Sequence, residues 1–489
     1  MAVSESGIRT ETSTPSPWPA LWALVVGFFM ILIDMTIVSI ATPAIQADLG
    51  ASVDSVVWVT SAYLLAYAVP LLITGRLGDR FGPLRIYLVG LTVFTLASLW
   101  CGLTTSIGML VAARAVQGLG ASMMTPQTMA VITRTFPPNK RGQAMSLWGA
   151  VAGVATLVGP ILGGVLVDGL GWEWIFFINV PIGVIAFVLA LRLVPALPTH
   201  VRRFDWIGVG LSAVGMFLLV FGIQEGQSYD WAVGVWAMIA AGVLVLAAFV
   251  WWQKRNRVEP LMSLSLFRDR NFSLSNIAIT TVGFSVTAMS FPITFYSQGV
   301  LGLTPTRSAL LLIPMAVFSG ILAPFVGRLT DRAHPRWIAG FGLLAWAVSL
   351  VWLAAVMKPS AAIWTLELPI ALLGIGSAFV WGPLATTANR NLPPQQAGGG
   401  AGIYNTTRQI GAVLGSAGIA VLMQSRITAE LGGGAGAPAG ETISSIPPAL
   451  HGQFTTAMSQ ALLLPAGVLL IGFVAALTFT VSLRPDRGQ

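Results

Sequence analysis

Charge is scarce in this chain. Asp, Glu, Lys and Arg make up 9% of its 489 residues, about a third of the share in a soluble domain, which excludes a protein kept in solution by a charged surface. There is one cysteine, Cys101, so no intrachain disulfide can form. Only three residues are lysine, Lys140, Lys254 and Lys358, and none follows a glycine. The glycine-rich GGGAGAPAG is therefore no phosphate cradle, and ATP is not expected as a direct fuel. The N-terminal MAVSESGIRTETSTPSPWP carries acids and lacks the basic start of a cleaved signal peptide; it reads as a cytoplasmic tail. A basic patch is missing too. The formal charge is +8, but the basic residues are spread singly through short loops, which argues against nucleic-acid binding.

What is present is hydrophobicity: 55% of side chains are apolar and the mean hydropathy is +0.80. Apolar runs of the roughly 20 residues needed to cross a bilayer follow one another almost without pause from Trp18 to Leu483. Divided at their Pro, Gly and charge punctuation, they predict an all-α integral membrane protein of fourteen helices. The first six lie near 18–43, 55–75, 84–104, 107–132, 142–167 and 173–195, and two more near 206–223 and 231–252. Six again lie near 272–298, 307–327, 337–357, 362–388, 398–423 and 457–483. The expected organisation is a tail (1–17), a six-helix bundle (18–195), a linker carrying two additional spans (196–271), a second bundle (272–483, with an outer loop at 424–456) and a short tail (484–489). With both termini in the cytoplasm, all but five of the 26 basic residues fall on the inner side. The five are Arg307, Lys358 and Arg426 outside and Arg114 and Arg408 within helices.

The two bundles repeat one another. GRLGDRFGPLR from Gly75 returns as GRLTDRAHPR from Gly327; QGLGAS from Gln117 matches LGIGSA from Leu373; FPPNKRG from Phe136 matches LPPQQAG from Leu392; Gly159 answers Gly415. Similar segments in the same order mean two homologous six-helix halves. Parallel halves of this kind are one repeat design of secondary transporters, with the substrate site between them.

At these residues the chain resembles the major facilitator superfamily, and within it the fourteen-helix drug:proton antiporters of the EmrB/QacA type. The superfamily loop pattern is matched by Gly75, Asp79, Arg80, Gly82 and Arg85, with the basic residues after Gly82 thinned to Arg85. VGPILGG from Val158 is the motif associated with antiporters, and IDMTIVSIATPAI is close to the first-helix form of the fourteen-helix group, with Ser39 where Asn is frequent. RAVQGLGAS, WEWIFFINVPIG (Glu173 standing where Arg is common) and NTTRQIGAVLG complete the set. The resemblance implies a proton-coupled exporter in the cell's inner (plasma) membrane. It would work by alternating access, run on the proton gradient with no cofactor or metal, function as a monomer among membrane lipids, and carry a small amphipathic substrate. A lipid exporter of the same fold is the alternative within the class, and a non-transporting sensor or scaffold the alternative outside it.

Roles for single residues follow. Asp34 is the one acid with apolar turns on both sides; Asp168, Glu173 and Glu367 lie nearer helix ends. A carboxylate in a membrane helix is costly unless paired, hydrated or protonated, so Asp34 is the candidate for proton coupling, with Arg114 as its partner or relay. The repeat counterpart of Arg114 is Ile370, which assigns coupling to the first half. Gating falls to Gly75, Asp79, Arg80, Gly82 and Arg85, mirrored by Asp331 and Arg332. Asp79 is expected at the amide end of the thirteenth helix, which opens with Gly398–Gly400, and Asp331 at the start of the fifth, near Gly142. Gly159, Pro160, Gly163 and Gly164 form a packing pivot expected to seal the halves on the outer side. Substrate candidates are Thr36, Gln117, Asn405, Thr407, Arg408 and Gln409, the last four forming a polar cluster that could instead hold the two halves in register. With one deep acid, the cavity suits neutral, zwitterionic or singly charged amphiphiles better than dications.

Overall fold

The computed structural model describes residues 16–51, 53–199, 205–226, 229, 231–256, 260–393, 396–431 and 447–480. Its first half comprises α1 (Trp18–Leu49), α2 (Val53–Ala68), α3 (Leu71–Phe81), α4 (Pro83–Gly102), α5 (Ile107–Thr135), α6 (Arg141–Leu170), α7 (Trp174–Phe177) and α8 (Asn179–Leu193). The two additional helices are α9 (Trp206–Gln224) and α10 (Val233–Arg255). The second half comprises α11 (Arg270–Gly299), α12 (Pro305–Leu310), α13 (Ile313–Arg332), α14 (Pro335–Val356), α15 (Ile363–Asn389), α16 (Ala397–Leu431), α17 (His451–Ala461) and α18 (Leu463–Leu477). Among the described residues there is no strand.

Local chemistry sets many of these boundaries. Proline stands in the first turn of α1, α4, α12, α13 and α14, where its missing N–H costs nothing. Ser106, Asp205, Asp269 and Thr304 cap α5, α9, α11 and α12 with side-chain oxygens. The second expected span is broken by a 45° bend between α2 and α3, where Pro70 precedes Leu71.

Twelve of the described helices are long and apolar enough to cross a membrane, thirteen with the bent α2–α3 pair. At the fifth expected span lies α6, a 30-residue helix whose described apolar stretch is the shorter Val158–Val167. Two boundaries differ in a way that matters. Both charged phrases, expected in loops, are helical: Asp79 lies in the last turns of α3 and Asp331 in those of α13. Hydropathy marks where a span leaves the apolar layer, whereas the hydrogen-bonded ladder runs on beyond it. The outer loop is shorter than expected for the same reason, since α16 runs to Leu431 and α17 starts at His451. Residues 1–15 and 484–489 of the predicted tails and 432–446 of the predicted loop lie outside the described residues.

The repeat is visible in the packing. A side-chain carbon on Gly120 of α5 would stand 2.8 Å from the carbonyl oxygen of Gly90 on α4; one on Gly376 of α15 would stand 2.9 Å from that of Gly342 on α14. Only glycine permits these matching backbone approaches. The additional helices do more than fill space. α9 packs Met216 and Val220 against Leu65 of α2 and against Ile410 and Val413 of α16, covering the seam between the halves on one side. Asp205 anchors this pair, accepting from the Gly208 amide, Trp252 Nε1 and Gln253 Nε2 at 2.8–2.9 Å. Burial pushes its carboxylate up, but the Gly208 amide, Trp252 and Gln253 outweigh that and hold it below the usual range.

Candidate functional site

The one carboxylate in the middle of a span is fully buried and fully used. Asp34 of α1 is 0% exposed. Its Oδ2 accepts from Arg114 Nη1 on α5 at 2.5 Å, and its Oδ1 accepts from Gln117 Nε2 at 2.9 Å and from Asn179 Nδ2 on α8 at 3.0 Å. Gln117 and Asn179 both also donate to Ser98 Oγ on α4, at 3.2 and 3.0 Å. Arg114 donates through Nε to the Val59 carbonyl at 3.1 Å and through Nη1 to Gln117 Oε1 at 2.7 Å. Its guanidinium carbon lies 4.0 Å from the centre of the Tyr63 ring, while Nη2 is buried without a hydrogen-bond partner. Four helices thus converge on one carboxylate, a geometry that can take up a proton only by giving up an ion pair.

Two residues reach this site by routes the sequence reading did not foresee. Gln117, expected on the substrate wall, lies one helical turn after Arg114 and faces Asp34 instead. Asn179 was inside the quoted WEWIFFINVPIG but singled out by nothing. It opens α8 at the break after Phe177, which turns its amide inward. Ile370 is buried at the position corresponding to Arg114, so that position in the second half carries no charge, and none of the ion pairs among the described residues lies there. Asp34 is not the only buried acid among the described residues, since Glu225 at the end of α9 is 4% exposed.

The ends of the halves that carry the repeated charged phrase meet at two carboxylates. Asp79 accepts from the amides of Gly398 and Gly399, at 3.0 and 2.8 Å, at the start of α16. It also pairs with Arg134 at 2.5 Å and lies 3.9 Å from Arg76. The approach needs bare backbone on both sides: a side-chain carbon on Gly75 would sit 2.5 Å from the Gly398 carbonyl oxygen. Asp331 accepts from the Gly142 amide at 2.8 Å at the start of α6. Arg80 lies over the Phe81 ring at 5.1 Å, Arg85 and Arg332 are exposed, and Gly82 makes the turn into α4 at φ 96°. The cation that closes on Asp79 is Arg134, which sequence reasoning missed; Arg390 follows it by 390 − 134 = 256 residues, the offset of the repeat.

The antiporter glycines are divided between two neighbours. Gly159 abuts Thr36 of α1, inside its own half, whereas a side-chain carbon on Gly164 would stand 3.3 Å from Thr306 Oγ1 of α12 in the other half. Positions five apart point about 140° away from each other on a helix, so one stripe cannot serve both contacts. Gly163 is buried and Pro160 half-buried within an unbroken α6. Thr36 donates to the Leu32 and Ile33 carbonyls at 3.2 and 3.1 Å, a hydroxyl bonded to its own helix.

The α16 group also separates. Thr407 donates to Asn276 Oδ1 on α11 at 2.9 Å, holding its own half together. Asn405 donates to the Ala401 carbonyl at 2.9 Å, and Gln409 is buried. Arg408 alone reaches across, with Nη2 3.5 Å from Tyr67 Oη on α2.

The family model of the Major Facilitator Superfamily matches residues 24–416. The chain belongs to the major facilitator superfamily. It is a multi-pass membrane transporter, not an enzyme. It is 56% identical over 467 residues, 94% of this chain and 81% of the other, to an uncharacterised MFS-type transporter of Mycobacterium tuberculosis. It is 34% identical over 513 residues, 99% of this chain and 94% of the other, to the tetracenomycin C resistance and export protein of Streptomyces glaucescens. Its fold superposes on the human organic anion transporter MFSD10 with a TM-score of 0.62, covering 95% of this chain and 100% of that one. At 14% identity that likeness is one of fold.

Proposed function

We propose that this transporter exports small amphipathic compounds in exchange for protons by alternating access between its two halves. The observation that carries the reading is the Asp34 site: a carboxylate at 0% exposure paired to Arg114 in the middle of a bilayer-spanning bundle. Burial of that kind is expensive in a membrane and marks a functional group. Protonating Asp34 removes one member of the pair and releases Arg114, Gln117 and Asn179 from a common anchor, loosening α1 from α5 and α8. Deprotonation on the other side of the membrane restores it. Relatives named for antibiotic or drug export, among them the tetracenomycin C protein and a multidrug resistance protein of Escherichia coli, 30% identical, support export as the direction. The distribution of basic residues supports cytoplasmic termini, an orientation that would put the contacts of Asp79 and Asp331 between the halves on the cytoplasmic side.

The test is transport in inside-out vesicles with an imposed proton gradient. Asp34→Asn keeps the shape of the site and accepts hydrogen bonds through one oxygen, so the variant is expected to insert normally and bind substrate while proton-driven accumulation falls to background. Accumulation that persists in Asp34→Asn at the wild-type rate removes Asp34 from coupling. An absence of substrate-dependent proton movement in the wild type overturns the exchange reading.

A further inference from the structure

The described residues contain three ion pairs, Arg76–Asp79, Arg114–Asp34 and Arg134–Asp79. Arg408 belongs to none of them. It stands near the middle of the membrane-spanning part of α16, half-buried, with no carboxylate within ion-pair distance. Its one side-chain hydrogen bond, to Tyr67 Oη at 3.5 Å, is to a neutral group at the limit of reach, and its Nε is buried without a partner. Three preceding residues on the same turn are equally unspent: Tyr404 Oη, Asn405 Oδ1 and Thr406 Oγ1 are buried and unpartnered. A guanidinium in a membrane interior is costly unless something negative meets it. The other deep charge nearby cannot do so, because Asp34 is already saturated by Arg114, Gln117 and Asn179.

The backbone holds this cation toward the seam. Gly283 of α11 receives the Arg408 carbonyl at a distance only glycine tolerates, and the side chain reaches from there to α2. Tyr67 stacks on Tyr63, with ring centres 6.3 Å apart and planes 7° from parallel. Met216 and Val220 of α9, with Leu65 of α2, pack against Ile410 and Val413 further along α16. Cation and aromatic pair are the complement of an organic anion with an apolar body.

We propose that Arg408 anchors the anionic group of the exported compound, so that the preferred substrates are amphipathic organic anions such as carboxylates or phenolates. This rests on the export reading above and names its substrate class. A guanidinium suits the task because it stays charged and offers a planar donor fork to a carboxylate. Asp34 is not part of the anchor: Tyr63 and Tyr67 stand between them. Proton and substrate therefore exclude each other through the rocking of the halves and not by competing for one charge. A consequence follows for charge movement. Whatever the number of protons exchanged, export of a monocarboxylate moves one more elementary charge across the membrane per cycle than export of its neutral ester.

The experiment compares paired fluorescent probes of one shape, 7-(diethylamino)coumarin-3-carboxylate and its ethyl ester, in inside-out vesicles holding the full chain, with membrane potential clamped. Wild type is expected to accumulate the acid at least tenfold faster than the ester, with a steeper dependence on potential. Arg408→Gln is expected to lose at least tenfold on the acid and less than twofold on the ester. Arg408→Lys, which keeps the charge and guards against a folding defect, is expected to retain most acid transport. Equal loss on both probes in Arg408→Gln together with loss in Arg408→Lys assigns Arg408 a structural role and overturns the anchor. Proton-driven transport of the ester in preference to the acid overturns the anion class while leaving the export reading standing. Transport of neither probe, with a panel of neutral and cationic dyes also unmoved, overturns the export reading and this inference with it.

Discussion

Asp79 and Asp331 occupy equivalent places in two copies of one six-helix unit, and each reaches an amide of the opposite half. Beyond that they part. Asp79 is 6% exposed and spends both oxygens, on two amides and on Arg134. Asp331 spends Oδ1 on the Gly142 amide, with Gln143 and the more distant charge of Arg390 as its other favourable neighbours, while Oδ2 is buried and makes no hydrogen bond among the described residues. Its repeat cation, Arg390, makes no ion pair with it and is exposed. Between them lies a cavity of about 240 Å³ lined by Asn139, Arg141, Asp331, Thr386, Thr387 and Arg390. The turn differs as well: Gly82 at φ 96° closes the first copy, whereas the second runs through extended Ala333 to His334, whose Nδ1 caps α14 by accepting from the Arg336 amide at 3.3 Å. The same motif is thus a closed latch in one half and a half-made one in the other. An uneven pair lets one side release before the other, as a switch between two states requires.

The comparison breaks most sharply at the carboxylates. Asp79→Asn deprives two amides of a charged acceptor and leaves Arg134 buried without its partner, and is expected to weaken closure at this end of the halves by about 3 kcal/mol, roughly a hundredfold in population. Asp331→Asn is expected to cost about 1 kcal/mol. Labelling of a cysteine placed at Ser146, which is 2% exposed and packs against Gly382 of α15, reads both, with buried Cys101 giving little background. Equal labelling rates in the two variants would erase the asymmetry. A smaller contrast is set by the cations: Arg134→Gln is expected to cost about 2 kcal/mol, and Arg390→Gln under about 0.5 kcal/mol, in the same assay.

The smallest effect is one of pH and belongs to the second copy alone. Partial burial, then Arg336 and Arg390, hold His334 below the usual histidine range. As pH falls through about 6.5 the unfolded chain takes up this proton before the folded one does. Stability therefore drops until the lower folded pKa is reached, and protonation removes the acceptor that caps α14. His334→Asn, which caps without titrating, is expected to flatten the thermal-unfolding slope between pH 7 and 5.5. An unchanged slope would deny His334 any part in it.

Much of this was legible along the chain. The membrane class, the two halves, the depth of Asp34 and its Arg114 partner follow from hydropathy and from the cost of charge in hydrocarbon, both properties of residues in order. Gln117, Asn179 and Ser98 were not legible as one site, because three separate helices bring them to Asp34 and no spacing in sequence records that meeting. Arg134 carried a faint signal in its echo at Arg390, but which copy closes depends on where each helix end lands. The glycines of VGPILGG were read as one stripe, and only the neighbours of α6 divide them between α1 and α12.

The sequence by itself determined that this is a duplicated membrane transporter with one deep carboxylate, since bilayer thickness and the price of buried charge leave few other readings. Tertiary structure decided which groups that carboxylate holds, which of two related motifs is closed, and which arginine is left without an anion. Those are questions of distance between helices far apart in the chain, and packing alone sets such distances.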